Sequence, residues 1–178
     1  ILQPAAIDLM SPPASRLLGR EGWTVAIAAA GNLAMMERYQ RELPDASLLE
    51  GEAEQTFWNN VAGFTSAFLD SHPQGAVARL STTHAALEPA LASVATPVVT
   101  RAGNGVSYLC FDAFESAVAF VQDAAGRGLR AVVEAGPDDR ANHTLWPNPG
   151  SDFAIMERIK RMLDPGNLLN PGRLFNRI

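Results

Sequence analysis

The segment from Gly75 to Gly136 constrains the fold of this 178-residue chain most strongly, because its strand, helix and turn signals form a complete β-α-β-β-α-β series. Asn104-Gly105 lies between two β-favouring runs and is a strong hairpin signal. On each side of this hairpin, a segment with the apolar periodicity of a helix lies between the hairpin and the outer strand. Four strands are predicted, at residues 76–81, 97–101, 106–111 and 129–134.

This order of elements is the split βαβ motif of ferredoxin-like folds, an antiparallel sheet covered by helices. The front of the chain repeats the second part of the motif, with strands predicted at residues 5–10, 23–30 and 46–50 and a helix capped by Asn32. The opening strand and helix of this front unit are missing, and we expect them to precede Ile1. The predicted fold class is α+β, with one complete and one truncated ferredoxin-like unit.

The elements divide the chain into four predicted segments. Residues 1–50 form the truncated unit, and residues 51–74 form one connecting helix whose apolar stripe contains Phe57, Val61, Phe64 and Phe68. Residues 75–136 form the complete unit, in which Asp112 and Glu115 have the spacing of a helix-capping box. Residues 137–178 form a C-terminal helix and tail.

The C-terminal tail joins an amphipathic helix to two closely spaced turns. Apolar residues recur at helical spacing, and Pro165 then ends the helix near Asp164. Each of two Pro-Gly pairs sets a fixed φ before a glycine that tolerates positive φ. The chain is therefore predicted to fold back twice, at residues 164–166 and 170–172.

Composition excludes several classes of function. The net charge of −5 and the pI near 5.1 disfavour a nucleic-acid surface. The single cysteine, Cys110, lies in an apolar run and is predicted to be a buried thiol that is neither a nucleophile nor a metal ligand. No apolar run approaches the roughly 18 residues of a membrane span. The chain starts without Met or a signal-like segment, so we interpret Ile1 as a domain cut or processing site.

Candidate chemical groups are few. His72, His84 and His143 are widely separated and match no metal-binding pattern, so surface or capping roles are predicted and no metal is expected. The segment Arg101–Gly105 is consistent with an anion-binding loop, but a strand follows it, and a hairpin is the better interpretation. Three arginines could bind a carboxylate, namely Arg79, Arg101 and Arg173, although a surface salt bridge is the more common role of an arginine on a strand or near a terminus.

The tail resembles the ending of FAD-linked oxidases of the vanillyl-alcohol oxidase type, in which Leu-Asp-Pro-Gly and then Asn-Pro-Gly-Arg follow an amphipathic helix. Within this family the chain looks most like the FAD-binding subunit of glycolate oxidase. The resemblance extends over essentially the whole chain, through Leu2–Leu9, Gly22–Ile27, Arg101–Gly105 and the tail.

The resemblance implies the C-terminal cap or substrate domain of a subunit that takes part in the oxidation of glycolate or a related 2-hydroxy acid. FAD is then held mainly by a missing upstream domain, and Asn170, Pro171, Gly172 and Arg173 are expected to approach the flavin or its domain. Arg101 is a candidate for the substrate carboxylate. No residue is assigned as catalytic base, and the His-rich metal segment of related catalytic subunits is absent, so the fragment alone is expected to be non-catalytic.

The same resemblance implies a second flavin subunit and an iron–sulfur subunit as partners. It further implies a cytoplasmic location, with attachment to the inner membrane through those subunits. The alternative from another class is a stand-alone ferredoxin-like module that binds a ligand or has a regulatory role, because this fold has many functions. A strand, a helix and a glycine-rich flavin-binding region upstream of Ile1 would distinguish the first interpretation from the second.

Overall fold

The computed structural model describes residues 2–137, 149–172, 174 and 175. The strands in these residues are β1 Ala6–Met10, β2 Thr24–Ala28, β3 Ala76–Ser81, β4 Val98–Arg101, β5 Val106–Phe111 and β6 Arg130–Ala135. The helices are α1 Pro12–Leu17, α2 Leu33–Glu42, α3 Gly51–Ala62, α4 Phe64–Ser71, α5 His84–Leu91, α6 Phe114–Gly126 and α7 Phe153–Leu163.

The six strands form a single antiparallel sheet in the order β2-β1-β4-β5-β3-β6. In the second half of the sheet, β3 is the first strand in sequence and lies between β5 and β6, as the split βαβ motif requires. The Gly105 amide donates to the Arg101 carbonyl at 3.0 Å and closes the turn between β4 and β5. The predicted α+β fold and its central hairpin are confirmed.

Strand β1 joins the front half of the chain to the complete unit. It pairs with β2 on one side and with β4 on the other, where Asp8 lies opposite Arg101 and Met10 opposite Val99. The sheet is therefore continuous across both halves of the chain. The edge of β2 away from β1 has no strand partner among the described residues.

Two apolar cores lie on opposite faces of the sheet, because neighbouring strand residues such as Val77 and Ala78 point in opposite directions. Each fully buried aliphatic or aromatic side chain contributes about 1.5–3 kcal/mol. One core packs α5 and α6 on the sheet and includes Ala78, Leu80, Leu91, Val98, Leu109, Ala117 and Val121. The other packs α1, α3 and α4 on the opposite face and includes Met10, Ala14, Val61, Phe64, Phe68, Val77, Val99 and Cys110.

The strand predicted at residues 46–50 is wrong. These residues form no strand, although Glu50 has an extended backbone with φ −138° and ψ 153°. In the complete unit the last strand, β6, pairs with the first strand, β3. The front half has no counterpart of β3 among the described residues, so residues 46–50 lack an adjacent strand with which to form ladder hydrogen bonds.

Other differences are local. The connecting helix predicted over residues 51–74 is two helices, α3 and α4, separated at Gly63, and the stripe from Phe57 to Phe68 still packs into one core. Ala113, and not Asp112, occupies the N-cap of α6, and it makes no side-chain capping bond. Helix α1 was not predicted, since six residues that begin with Pro-Pro carry little periodic signal.

Candidate functional site: the C-terminal tail

Helix α7 ends where the sequence predicts. Asp164 follows its last residue and has φ −138° and ψ 67°, outside the helical region, and Pro165 has no amide hydrogen to continue the helix. Phe153 is the buried residue of α7. The other residues of α7 are exposed or half-buried.

The Asp164 carboxylate organises the first part of the tail. Oδ1 accepts a hydrogen bond from the Leu168 amide and Oδ2 accepts one from the Leu169 amide, both at 2.9 Å. Lys160 Nζ lies 2.5 Å from Oδ2 and also donates to the Leu169 carbonyl. We call these four residues the Asp164 clasp. The Lys160 ammonium and the two amides stabilise the carboxylate and lower the pKa of Asp164 from 3.8 to about 2.

A second contact fixes the tail at the other end of α7. The Phe175 ring packs edge-on against Phe153, with ring centroids 5.0 Å apart and an interplanar angle of 85°. Phe153 begins α7, whereas the clasp lies at its end, and a helix of 11 residues is roughly 16 Å long. The tail therefore returns along the helix between two anchor points.

In this part of the chain charged side chains are nearly buried and large apolar side chains are exposed, which is the reverse of the usual arrangement. The charged side chains of Lys160 and Asp164 are 17% and 8% exposed. A set of large apolar side chains faces solvent instead, and contiguous exposed apolar area is typical of interaction surfaces. This apolar tail surface consists of Ile155, Met156, Ile159, Met162, Leu163, Leu168 and Leu169.

The predicted flavin-facing residues lie between the two anchors. Asn170 has φ 47° and Gly172 has φ 71°, so both occupy the left-handed region on either side of Pro171. Asn170 and Pro171 are exposed. Asn167, in the preceding turn, has φ 48° and provides an internal comparison. Arg173 and His143 lie outside the described residues.

Arg101 is the last residue of β4 and directly precedes the turn at residues 102–105. Its guanidinium forms an ion pair with Asp8, whose side chain is 3% exposed. Burial raises the pKa of Asp8, while the charge and hydrogen bond of Arg101 oppose that rise. No hydrogen bond or ion pair within the described residues links Arg101 to the turn at Asn170. Its assignment to a substrate carboxylate stays a prediction.

The two described histidines make structural contacts. His72 stacks on Phe68 with centroids 4.1 Å apart, its Nδ1 lies 2.9 Å from the Phe68 carbonyl oxygen, and its Nε2 lies 3.6 Å from Asp112. His72 also borders an open cleft of about 600 Å³ next to Gly136 and Pro137. His84 Nε2 lies 2.7 Å from the Ala102 carbonyl oxygen and braces the hairpin.

Cys110 is fully buried, as predicted, and desolvation raises the pKa of its thiol to about 12. Such a thiol is almost entirely protonated at neutral pH. In the part of the chain that the structure describes, no group of three or more His, Cys, Asp or Glu side chains is arranged to hold a metal ion. None of the described helices is both long and apolar enough to cross a membrane.

Sequence reasoning missed the clasp. It treated Asp164 as a turn residue, although Lys160 stands one helical turn before it, a spacing at which side chains meet. An Asp that precedes Pro-Gly also has backbone amides within reach of its carboxylate. The Phe153–Phe175 contact joins residues too far apart for periodicity to connect.

The family model for FAD linked oxidases, C-terminal domain, matches residues 139–174. The matched stretch is short: it contains α7, the clasp and the turn at Asn170, and none of the six strands. It supports the assignment of an FAD-linked oxidoreductase domain. No curated protein sequence matches the chain.

Proposed function

We propose that this chain is the C-terminal domain of an FAD-linked oxidoreductase subunit and acts together with an FAD-binding domain upstream in the same polypeptide. One observation supports this proposal most directly, namely that the family match and two structural features fall on the same stretch of chain. The stretch that matches the FAD-linked oxidase family is the stretch that combines a fixed turn with an exposed apolar surface. Both features suit a segment that contacts another domain.

The described residues fit one side of a flavin site and not a whole one. Asn170 offers an exposed side-chain amide, and Leu168 and Leu169 offer apolar contact beside it. A flavin ring presents both hydrogen-bonding edges and apolar faces. The FAD diphosphate, in contrast, is usually bound by a glycine-rich loop that leads into a helix. The glycine-rich turn at residues 102–105 leads into strand β5 instead.

In this proposal a bound FAD would supply the acceptor for the hydride equivalent lost in the oxidation of an alcohol, and a base would take the hydroxyl proton. The role of this chain is to cover the cofactor, orient it and exclude water. Asn170, Pro171, Gly172 and Arg173 are the residues assigned to the contact. The chain supplies no residue that we assign as catalytic base, so we expect the 178-residue fragment alone to be inactive.

Exposed apolar residues and an open strand edge in the front half of the sheet support the proposed upstream continuation of the polypeptide. Trp23, just before β2, is 52% exposed, and Val25 and Ile27 on β2 are 58% and 37% exposed, beside an open strand edge. Val25 and Ile27 lie opposite Leu9 and Ile7 of β1 and share their face of the sheet. In the complete unit, α5 and α6 cover this face. A preceding strand and helix would complete the front unit at both the edge and the face.

We further propose a 2-hydroxy acid of the glycolate type as substrate of the parent enzyme, with a second flavin subunit and an iron–sulfur subunit as partners. Both assignments rest on the resemblance of four segments to the FAD-binding subunit of glycolate oxidase, namely Leu2–Leu9, Gly22–Ile27, Arg101–Gly105 and the tail. Reduction of bound flavin by glycolate, followed in the assembled complex by visible absorbance, tests the substrate. No reduction by glycolate or D-lactate would contradict it.

An FAD titration of a longer polypeptide that extends upstream of Ile1 through the next domain tests the proposed function. Flavin absorbance in the longer polypeptide, and not in the 178-residue chain, is expected. Asn170→Gly keeps the left-handed backbone accessible and removes the amide, so it is expected to shift the flavin absorption band. Asn167→Gly makes the same change three residues earlier, in the preceding turn, and should leave the band unchanged.

The second candidate is a stand-alone ferredoxin-like module that binds a ligand or regulates a partner. The open edge of β2, with its exposed Val25 and Ile27, fits this candidate as well as the first, because an unpaired edge can also add a strand from another chain. A folded longer polypeptide without flavin, or a native start just before Ile1, would support it over the first.

A further inference from the structure

We propose that Asp164 and Lys160 are positioning residues that preset the turn at Asn170–Gly172 before the flavin-binding domain docks. This inference rests on the proposed function and assigns it a mechanism. The tail would then be ordered before it contacts the other domain. Docking would therefore not have to offset a loss of conformational entropy in the tail.

The hydrogen bonds of the clasp hold the backbone directly before the turn. One carboxylate accepts the amides of two successive residues, Leu168 and Leu169, and the Lys160 ammonium bridges that carboxylate to the Leu169 carbonyl. Leu169 is therefore fixed through both its amide and its carbonyl. Asn170 follows directly, so the start of the turn inherits the orientation that the clasp sets.

Among the described residues, no hydrogen bond joins the segment from Pro165 to Pro171 to the sheet. Phe153 is the buried residue of α7, and the residues from Pro165 to Pro171 are all exposed. The Phe153–Phe175 contact holds the tail beyond the turn. Between these anchors, Asn170 and Gly172 adopt left-handed backbone conformations that an unrestrained chain populates only in part.

In the clasp the charged side chains are nearly buried and the leucine side chains are exposed, which is the reverse of the usual arrangement. A nearly buried ion pair has to overcome the desolvation of both charges, and the two amides that reach Asp164 supply the additional hydrogen bonds. The same arrangement leaves Leu168 and Leu169 facing solvent. This geometry suits presentation of the turn and its apolar neighbours to a partner surface.

The experiment begins with amide hydrogen exchange of Leu168 and Leu169 in the 178-residue chain. Asp164→Ala removes both acceptors and is expected to speed exchange at these amides roughly tenfold or more. Lys160→Met keeps the length of the aliphatic stem, removes the ammonium and should give a smaller increase. Glu42→Ala breaks the exposed Arg38–Glu42 pair, which has the same i,i+4 spacing, and serves as the matched control. Equal exchange in Asp164→Ala and the unmodified chain would overturn the inference.

The second measurement uses the longer polypeptide and reads the flavin. Asp164→Ala is expected to weaken FAD affinity and shift the flavin absorption band, whereas Asp164→Asn, which keeps the shape and one oxygen acceptor, should recover part of both. Flavin bound identically by Asp164→Ala and the unmodified polypeptide would overturn the positioning role alone. Protected Leu168 and Leu169 amides without any flavin in the unmodified longer polypeptide would overturn the proposed function and, with it, the role of the clasp.

Discussion

Two aspartates, Asp8 and Asp164, form ion pairs through side chains that are themselves less than one-tenth exposed, and their environments differ. Asp8 is buried in the sheet beside a single cation, Arg101, and burial raises its pKa. Asp164 lies at a helix end, where one cation and two backbone amides lower its pKa. The first residue ties β1 to β4, and the second shapes the tail.

Arg101→Met tests the first of these residues. Removing one partner of a buried pair costs about 3–5 kcal/mol, and because Arg101 is 35% exposed, solvent screening should reduce the loss to about 1–3 kcal/mol. Urea denaturation measures the change in the free energy of unfolding. Arg79→Met, which breaks the more exposed Arg79–Glu134 pair, is the control and should cost less than about 1 kcal/mol. Equal losses in the two variants would contradict this account of Asp8.

Among the elements, the hairpin of β4 and β5 fixes the centre of the complete unit. Its turn requires Gly105, which has φ 71° and packs against the Thr82 carbonyl, leaving no space for a side chain. The Thr82 amide in turn donates to the Gly105 carbonyl at 2.9 Å. The turn therefore joins the hairpin to the segment between β3 and α5.

Gly105→Ala is expected to lower the free energy of unfolding by at least about 2 kcal/mol, because it combines a left-handed backbone with a steric clash against main chain. Gly103→Ala, two residues earlier in the same turn, meets no atom within 4 Å and has no positive φ. It should be close to neutral. Thermal unfolding of the two variants measures the difference, and similar midpoints would contradict the packing described for this turn.

The tail has its own pH dependence. The pKa of Asp164 is lowered from 3.8 to about 2, so the clasp stabilises the tail fully above pH about 4 and is lost as the pH falls through about 2. The amide chemical shifts of Leu168 and Leu169, followed by NMR, should titrate in this low range. Asp164→Asn should abolish the titration. A midpoint near 4 in the unmodified chain would show that the carboxylate is unpaired.

The limits of sequence reasoning are clear at the scale of elements. Alternation along residues 106–111 and the Asn104-Gly105 signal predicted the hairpin, because both patterns are local. The strand predicted at residues 46–50 failed because a strand depends on an adjacent partner that composition does not reveal. The clasp was missed because Asp164 binds backbone amides, which every residue carries, and the Asp8–Arg101 pair was missed because its members are 93 residues apart.

At the scale of the whole molecule, the complete unit and the front half share one sheet but differ in how much of it is covered. Helices α5 and α6 cover one face of the complete unit, whereas Val25 and Ile27 on the same face of β2 are exposed. The tail presents a second apolar surface through α7 and the clasp. Two such surfaces on one chain support the proposal that it functions as part of a larger polypeptide.

The most direct test is the flavin content of a longer polypeptide that includes the domain upstream of Ile1, measured by visible absorbance after free FAD has been removed. We expect about one FAD per polypeptide in the longer form and none in the 178-residue chain. A folded longer polypeptide without flavin absorbance, even after incubation with excess FAD, would contradict the assignment to an FAD-linked oxidoreductase.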